Sequence, residues 1–182
     1  MIAARSSALD VAQLVVSALT PIMLFVLGLL VTRATRRFEQ AEWANRKVVE
    51  RKLTLYEDMS PLINDLYCFF NLVGHFQEVT PPDAVSRKRA LDRLFYTHAP
   101  LFGKEFKQRY ESFMSACFQV FSAVAQDAKL KAPIDAQKRE RTRLDPDWDA
   151  MFAREMETSE NEFAKAHDEL METFAGEVGA RL

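Results

Sequence analysis

The longest uncharged stretch of the chain places the strongest constraint on its fold. Residues 11–32 read VAQLVVSALTPIMLFVLGLLVT without a charged side chain. A bilayer core of about 30 Å is crossed by about 20 helical residues at roughly 1.5 Å each. The sequence therefore predicts a transmembrane helix over 11–32, preceded by a short extracytoplasmic N-terminus over 1–10.

Two other interpretations of this stretch fit less well. A secretory signal has an apolar region of about 7–15 residues and then a cleavage site flanked by small residues. Here the apolar run is longer and ends in arginines, which would obstruct cleavage. A buried helix of a soluble protein is the remaining alternative, but uncharged runs of about 18 or more residues are usually spans.

The basic residues that follow the stretch predict its orientation. Arg33, Arg36 and Arg37 come directly after it and would flank the membrane, whereas only Arg5 precedes it. Lys and Arg close to a span favour the cytoplasmic side. We therefore expect a single-pass protein of the cell inner (plasma) membrane, with its N-terminus outside and residues 33–182 in the cytoplasm.

The cytoplasmic part is predicted to be helical. Glycine is scarce, with five in the chain, and apolar residues recur at intervals of three and four. A first helix continues from the span and meets a kink or break at Pro61. Thr80 and Asp83 suit the start of a second helix as a capping box, a third runs over 103–129, and the last starts at Asp145. The fold class expected is all-α: one N-terminal transmembrane helix and an antiparallel bundle of about four helices.

No motif for catalysis, cofactor binding or metal binding is recognisable in the sequence. The three histidines are isolated from one another, and none follows a glutamate at the spacing of di-iron sites. Cys68 and Cys117 lie inside apolar helical patterns, which favours reduced thiols in the core. We expect no catalytic residue, no cofactor, no metal ligand and no enzymatic activity.

Charge is distributed unevenly along the chain. Residues 80–144 hold 13 basic and 7 acidic groups, whereas residues 145–182 hold 3 and 11. A connecting loop over 128–146 is rich in basic residues and lacks the aromatic residues typical of nucleic-acid contacts, so nucleic acid is an unlikely partner. Anionic lipid headgroups or a protein partner are the candidates for this loop, and the contact residues would be Lys129, Lys131, Lys138, Arg139, Arg141 and Arg143.

The last helix has the opposite sign. The simplest prediction is that its acidic side chains pair with the basic helices, and the alternative is that they bind a basic partner protein. The residues concerned are Glu155, Glu157, Glu160, Glu162, Asp168, Glu169 and Glu172.

Several segments resemble a group of uncharacterised bacterial single-span membrane proteins with a helical cytoplasmic domain. They are RKLTLYEDMSPLINDLYCFF, TPPDAVSRKRALDRLFYTHAPLF and FMSACFQVF, together with the preceding apolar stretch. The resemblance covers the chain up to about Leu130. It implies a prokaryotic inner membrane and brings no activity, cofactor or functional residue.

Three functional hypotheses follow. The favoured one is a membrane-anchored interaction or scaffolding module whose partners are the lipid bilayer, a protein or a second copy of the chain. The alternative is a membrane-acting effector of pore, stress or defence type that oligomerises through the span. A membrane-tethered enzyme without a recognisable motif ranks lowest.

Overall fold

The structure, a computed structural model, describes residues 3–119, 128–142, 145–153 and 158–179. The protein is mostly helical, which confirms the all-α class. The helices are α1 (Ala3–Asn71), α2 (Pro81–His98), α3 (Lys104–Cys117), α4 (Ile134–Glu140) and α5 (Glu160–Glu177), with 3-10 turns at Ala99–Leu101 and Pro146–Met151. The chain divides into an N-terminal unit, Met1–Lys47, and a C-terminal domain, Val48–Leu182.

The prediction of a transmembrane helix over 11–32 is wrong. No helix in the described part of the chain is both long enough and apolar enough to cross a membrane. The predicted single-pass topology and the inner-membrane location depended on this span and are corrected with it. The membrane-flanking role of Arg33, Arg36 and Arg37 was inferred from the same span and stays a prediction.

The C-terminal domain is organised around one apolar core. The predicted spacing of apolar residues at intervals of three and four is confirmed in α1, because Leu55, Met59, Ile63 and Leu66 are completely buried. The helix continues past Pro61 to Asn71, so the proline does not break it. Burial of side chains on both sides of the proline offsets the hydrogen bond that it removes.

Two short strands follow α3 and shorten the predicted third helix. Residues Phe118–Gln119 (β1) pair antiparallel with Lys129–Leu130 (β2), with Phe118 opposite Leu130. Phe118 is buried in the core from this extended position, and the predicted continuation over Val120, Phe121 and Val124 lies outside the described residues. The helix ends at Cys117 because strand pairing satisfies the backbone beyond it.

The last helix also starts later than predicted. Asp145 caps only the 3-10 turn Pro146–Met151, accepting a hydrogen bond from the Asp147 amide at 3.0 Å. Beyond it the backbone turns to β2, where the amide of Ala153 donates to the Leu130 carbonyl at 2.8 Å. The Ser159 hydroxyl then caps α5 by accepting from the Glu162 amide at 3.3 Å.

The start of α2 confirms the predicted capping box. The Thr80 hydroxyl accepts from the Asp83 amide at 3.3 Å, and the Asp83 carboxylate accepts from the Thr80 amide at 3.0 Å. Two of the donors that a helix leaves unpaired at its N-terminus are thereby satisfied. The cap also connects α2 to the turn that ends at Val79, a buried residue of the core.

Replacing Thr80 with alanine should destabilise the domain. We expect the free energy of unfolding of Thr80→Ala to fall by about 1 kcal/mol, because the cap hydrogen bonds are lost. Urea denaturation followed by circular dichroism measures this change. Thr97→Ala, at an exposed position inside the same helix, is the matched control and should be neutral or slightly stabilising. Equal losses in both variants would contradict a role for the cap.

The same cap predicts a pH dependence. The hydrogen bond from the Thr80 hydroxyl is the main cause of a lowered Asp83 pKa, which burial opposes and the Thr80 amide and Arg87 reinforce. A lowered carboxyl pKa adds stability that is present above the ordinary value of 3.8 and is lost as the pH falls through the folded-state value. The stability difference between the wild type and Thr80→Ala should therefore shrink below that pH. A difference that grows on acidification would contradict it.

Candidate functional site

A polar cleft on the surface of the C-terminal domain is the best candidate for a functional site. It has a volume of about 620 Å³ and lies between α1, α3 and α5. Four carboxylates and two cations line it, which gives a formal charge of −2. The lining residues are Lys52, Glu105, Arg109, Glu169, Glu172, Thr173, Gly176 and Glu177, and we call this site the acidic cleft.

Aromatic packing between α3 and α5 holds the walls of the acidic cleft. The Phe174 ring centroid lies 4.6 Å from that of Phe106 and 4.9 Å from that of Tyr56 on α1. The ring centroid of Phe163, about three turns earlier on α5, lies 5.6 Å from that of Phe113. Ring pairs at such distances add about 0.5–1.5 kcal/mol beyond the burial of their area. These contacts fix one face of α5 and leave its carboxylates beside α3.

Glu177 closes one end of the acidic cleft. Its carboxylate pairs with the Lys52 ammonium and accepts a hydrogen bond from the Gly103 amide at 2.7 Å. A Cβ at Gly103 would lie 2.6 Å from the Glu177 Oε1 atom, so a larger residue at 103 would displace the Glu177 carboxylate from this position. The side chains of Lys52 and Glu177 are only 15% and 17% exposed, which makes this pair part of the wall.

Glu169 is held in the middle of the cleft by two cations. Arg109 Nη1 lies 2.6 Å from Glu169 Oε2, and Lys165 Nζ lies 3.9 Å from Glu169 Oε1. Glu105 and Glu172 differ from it, because both are exposed and form no ion pair within the described residues. The fixed pairs therefore shape the cleft, and Glu105 and Glu172 give it a negative surface that faces solvent.

The acidic residues predicted on the last helix are only partly brought together. Glu169 and Glu172 line the cleft, whereas Glu160, Glu162 and Asp168 lie elsewhere on α5. Glu155 and Glu157 are outside the described residues. The sequence did not indicate Lys52, Glu105, Arg109 or Glu177, since they come from three helices. These residues lie beside the apolar stripes of their helices, and that position could have indicated that they line a site between the helices.

The basic connection over 128–146 is structured in its described parts. Lys129 belongs to β2, Lys131 follows it, and Lys138 and Arg139 lie at the end of α4. Lys138 pairs with Asp149 at 2.5 Å, and Arg139 pairs with its neighbour Glu140 at 2.9 Å. Arg143, the last of the predicted contact residues, and the side chain of Arg37 lie outside the described residues.

Arg141 is the exception among these basic residues because it is buried. Its Nη2 donates to the Val79 carbonyl at 2.8 Å and its Nε donates to Gln137 Oε1 at 2.6 Å. Gln137 in turn donates to the Phe69 carbonyl at 2.8 Å, near the C-terminus of α1. The guanidinium lies over the rings of Phe69 and Phe76, at 5.1 Å and 5.5 Å from their centroids.

This environment explains how the domain accommodates a buried cation. Arg141 has no carboxylate partner within the described residues, and burial lowers its pKa. The aromatic faces and the negative end of the α1 dipole supply the compensating charge. Arg141 therefore joins α4 to the end of α1 and presents little surface to a lipid or a protein.

His75 and the two cysteines occupy structural positions in the described part of the chain. His75 Nε2 lies 2.8 Å from Asp65 Oδ1, and Arg87 Nε lies 2.7 Å from Asp65 Oδ2, a cluster that joins the end of α1 to α2. Cys68 and Cys117 are free and buried, and burial raises the pKa of the Cys117 thiol. No group of three or more His, Cys, Asp or Glu side chains among the described residues is placed to hold a metal ion.

Comparison of the chain with protein-family models, with curated proteins and with solved structures found no match.

Removing the Arg141 side chain should destabilise the domain strongly. We expect Arg141→Ala to lower the free energy of unfolding by about 2–3 kcal/mol, because it leaves the Val79 carbonyl and the Oε1 atom of Gln137 without a donor inside the protein. Arg139→Ala, on the exposed side of the same segment, is the control and should change it by less than ~0.5 kcal/mol. Urea denaturation measures both values. Similar small effects in the two variants would contradict the structural role of Arg141.

Proposed function

We propose that the C-terminal domain is an antiparallel helical bundle with a non-catalytic role. We further propose that its acidic cleft binds a basic segment of a partner protein. The proposal depends on one observation, the difference in ion pairing among the four cleft carboxylates. Glu169 and Glu177 are engaged in ion pairs, whereas Glu105 and Glu172 face solvent without one among the described residues.

The size and polarity of the acidic cleft favour side chains of a peptide as ligands. A volume of about 620 Å³ is within the roughly 300–1,000 Å³ range of ligand sites, yet the lining is largely charged where small-molecule sites are mostly apolar. Lys and Arg side chains combine a cationic head with an apolar stem. Their heads would reach Glu105 and Glu172, while their stems would lie against Thr173 and Gly176.

The sign of the charge argues against nucleic acid at this site, since phosphates would be repelled by the exposed carboxylates. Electrostatic complementarity also predicts how such a complex would behave. Opposite charges on the two partners mainly raise the association rate and the specificity, and salt weakens both. We therefore expect a partner that binds reversibly and whose affinity falls as ionic strength rises.

Neutralising the two solvent-facing carboxylates should weaken binding of a basic peptide. The probe is a fluorescein-labelled nonapeptide of Lys, Arg and Gly, whose binding to the full chain is followed by fluorescence anisotropy. We expect Glu105→Gln/Glu172→Gln to raise Kd by about tenfold, equivalent to ~1.4 kcal/mol. Raising the salt concentration should weaken wild-type binding further than binding of the variant.

A matched control separates the cleft from the overall charge of the protein. Glu111→Gln/Asp168→Asn changes the net charge equally, and its exposed positions lie on the same two helices but outside the cleft lining. It should leave Kd within about twofold of the wild type, because charges distant from the cleft are screened. Equal weakening by the two double variants, or no binding to the wild type, would overturn the proposal.

A further inference from the structure

The N-terminal unit carries an apolar helical surface that its own described residues leave uncovered. Nine large apolar side chains within 19–31 are between 45% and 71% exposed. Together they present on the order of 1,000 Å² of apolar surface, above the ~300–600 Å² of the largest patch on a typical monomer. The side chains are Leu19, Met23, Leu24, Phe25, Val26, Leu27, Leu29, Leu30 and Val31.

Four of these side chains surround a depression with a specific geometry. Met23, Val26, Leu27 and Leu30 border an open surface depression of about 260 Å³. Their spacing, at positions i, i+3, i+4 and i+7, is that of the four residues that form a hole in knobs-into-holes packing. Such a hole accepts one apolar side chain from a neighbouring helix. The same helix supplies leucine and methionine side chains of that kind, so it carries both halves of the contact.

The apolar side chains extend around most of this helix. At about 100° per residue, the nine positions cover about two thirds of the circumference, and Gly28 and Thr32 occupy the remainder. A Cβ at Gly28 would have no atom within 4 Å, so that side is open as well. A single neighbouring helix covers a stripe only somewhat wider than about 100°, which would leave much of the apolar surface in contact with water.

We propose that the helix over 19–31 is a homo-oligomerisation element, in which three or more copies of this chain pack against one another with knobs in holes. In a closed ring each helix contacts two identical neighbours, so more of its apolar surface is covered than in a pair. The exposed apolar area of each copy, on the order of 1,000 Å², is comparable to the roughly 800 Å² that each partner contributes to a standard interface. The contact ends at Arg33, because Arg33 and Arg36 are exposed and charged.

The mass of the full-length chain in solution tests this proposal. Sedimentation velocity should give a discrete species of at least three times the chain mass of 20.9 kDa. Leu27→Glu/Leu30→Glu should reduce it to a monomer, because two carboxylates would be placed in the interface of every copy. Val48→Glu/Val49→Glu adds the same charges at exposed apolar positions outside the N-terminal unit and should keep the wild-type mass.

A second measurement keeps the test independent of folding defects in the charged variant. Met23→Cys should form a disulfide between copies under mild oxidation, whereas Tyr96→Cys, at an equally exposed position on α2, should not. A monomeric wild type, or an unchanged mass in Leu27→Glu/Leu30→Glu, would overturn the proposal. So would a monomer that instead floats with phosphatidylcholine vesicles, since lipid would then be the occupant of this surface.

Discussion

The packing of α5 on α3 is the interaction on which the C-terminal domain depends most. Phe174 contacts Phe106 and Tyr56, so one ring touches two helices that are distant in sequence. Phe102, in the connection before α3, completes this contact at 5.7 Å from Phe174. Because these rings fix the rotation of α5, the edge of the helix next to its aromatic face presents carboxylates beside α3. The acidic cleft is therefore a consequence of the aromatic core.

A second, polar set of contacts joins the helices where the apolar core ends. Gln137 and Arg141 bind backbone carbonyls at Phe69 and Val79, which belong to the end of α1 and to the turn after it. Backbone groups at a helix C-terminus lack partners within the helix, so these side chains replace water there. The ion pairs of Asp65 on α1 with His75 in the turn and with Arg87 on α2 reinforce the same region. Polar contacts thus order the irregular segments, whereas apolar contacts order the long helices.

Much of the fold of the domain follows from local patterns. The capping box at Thr80 and the buried stripe of α3 were predictable, because each depends on residues close together in sequence. The strand pair and the late start of α5 were not, since Phe118 leaves the helical pattern only through pairing with Leu130. The acidic cleft depends on Arg109 meeting Glu169, 60 residues away, and periodicity does not say which helices become neighbours. The apolar run near the N-terminus predicted a transmembrane span from its length alone. No helix in the described part of the chain is long and apolar enough to cross a membrane.

The two buried thiols give this domain an internal reporter. Cys117 is fully inaccessible and Cys68 is 6% exposed, on different helices of the same core. A thiolate is the reactive form, and burial keeps the Cys117 thiol protonated as well as shielded. An alkylating reagent can therefore modify the folded chain at these two positions only when the core opens. The rate of modification at each cysteine would report which helix separates first.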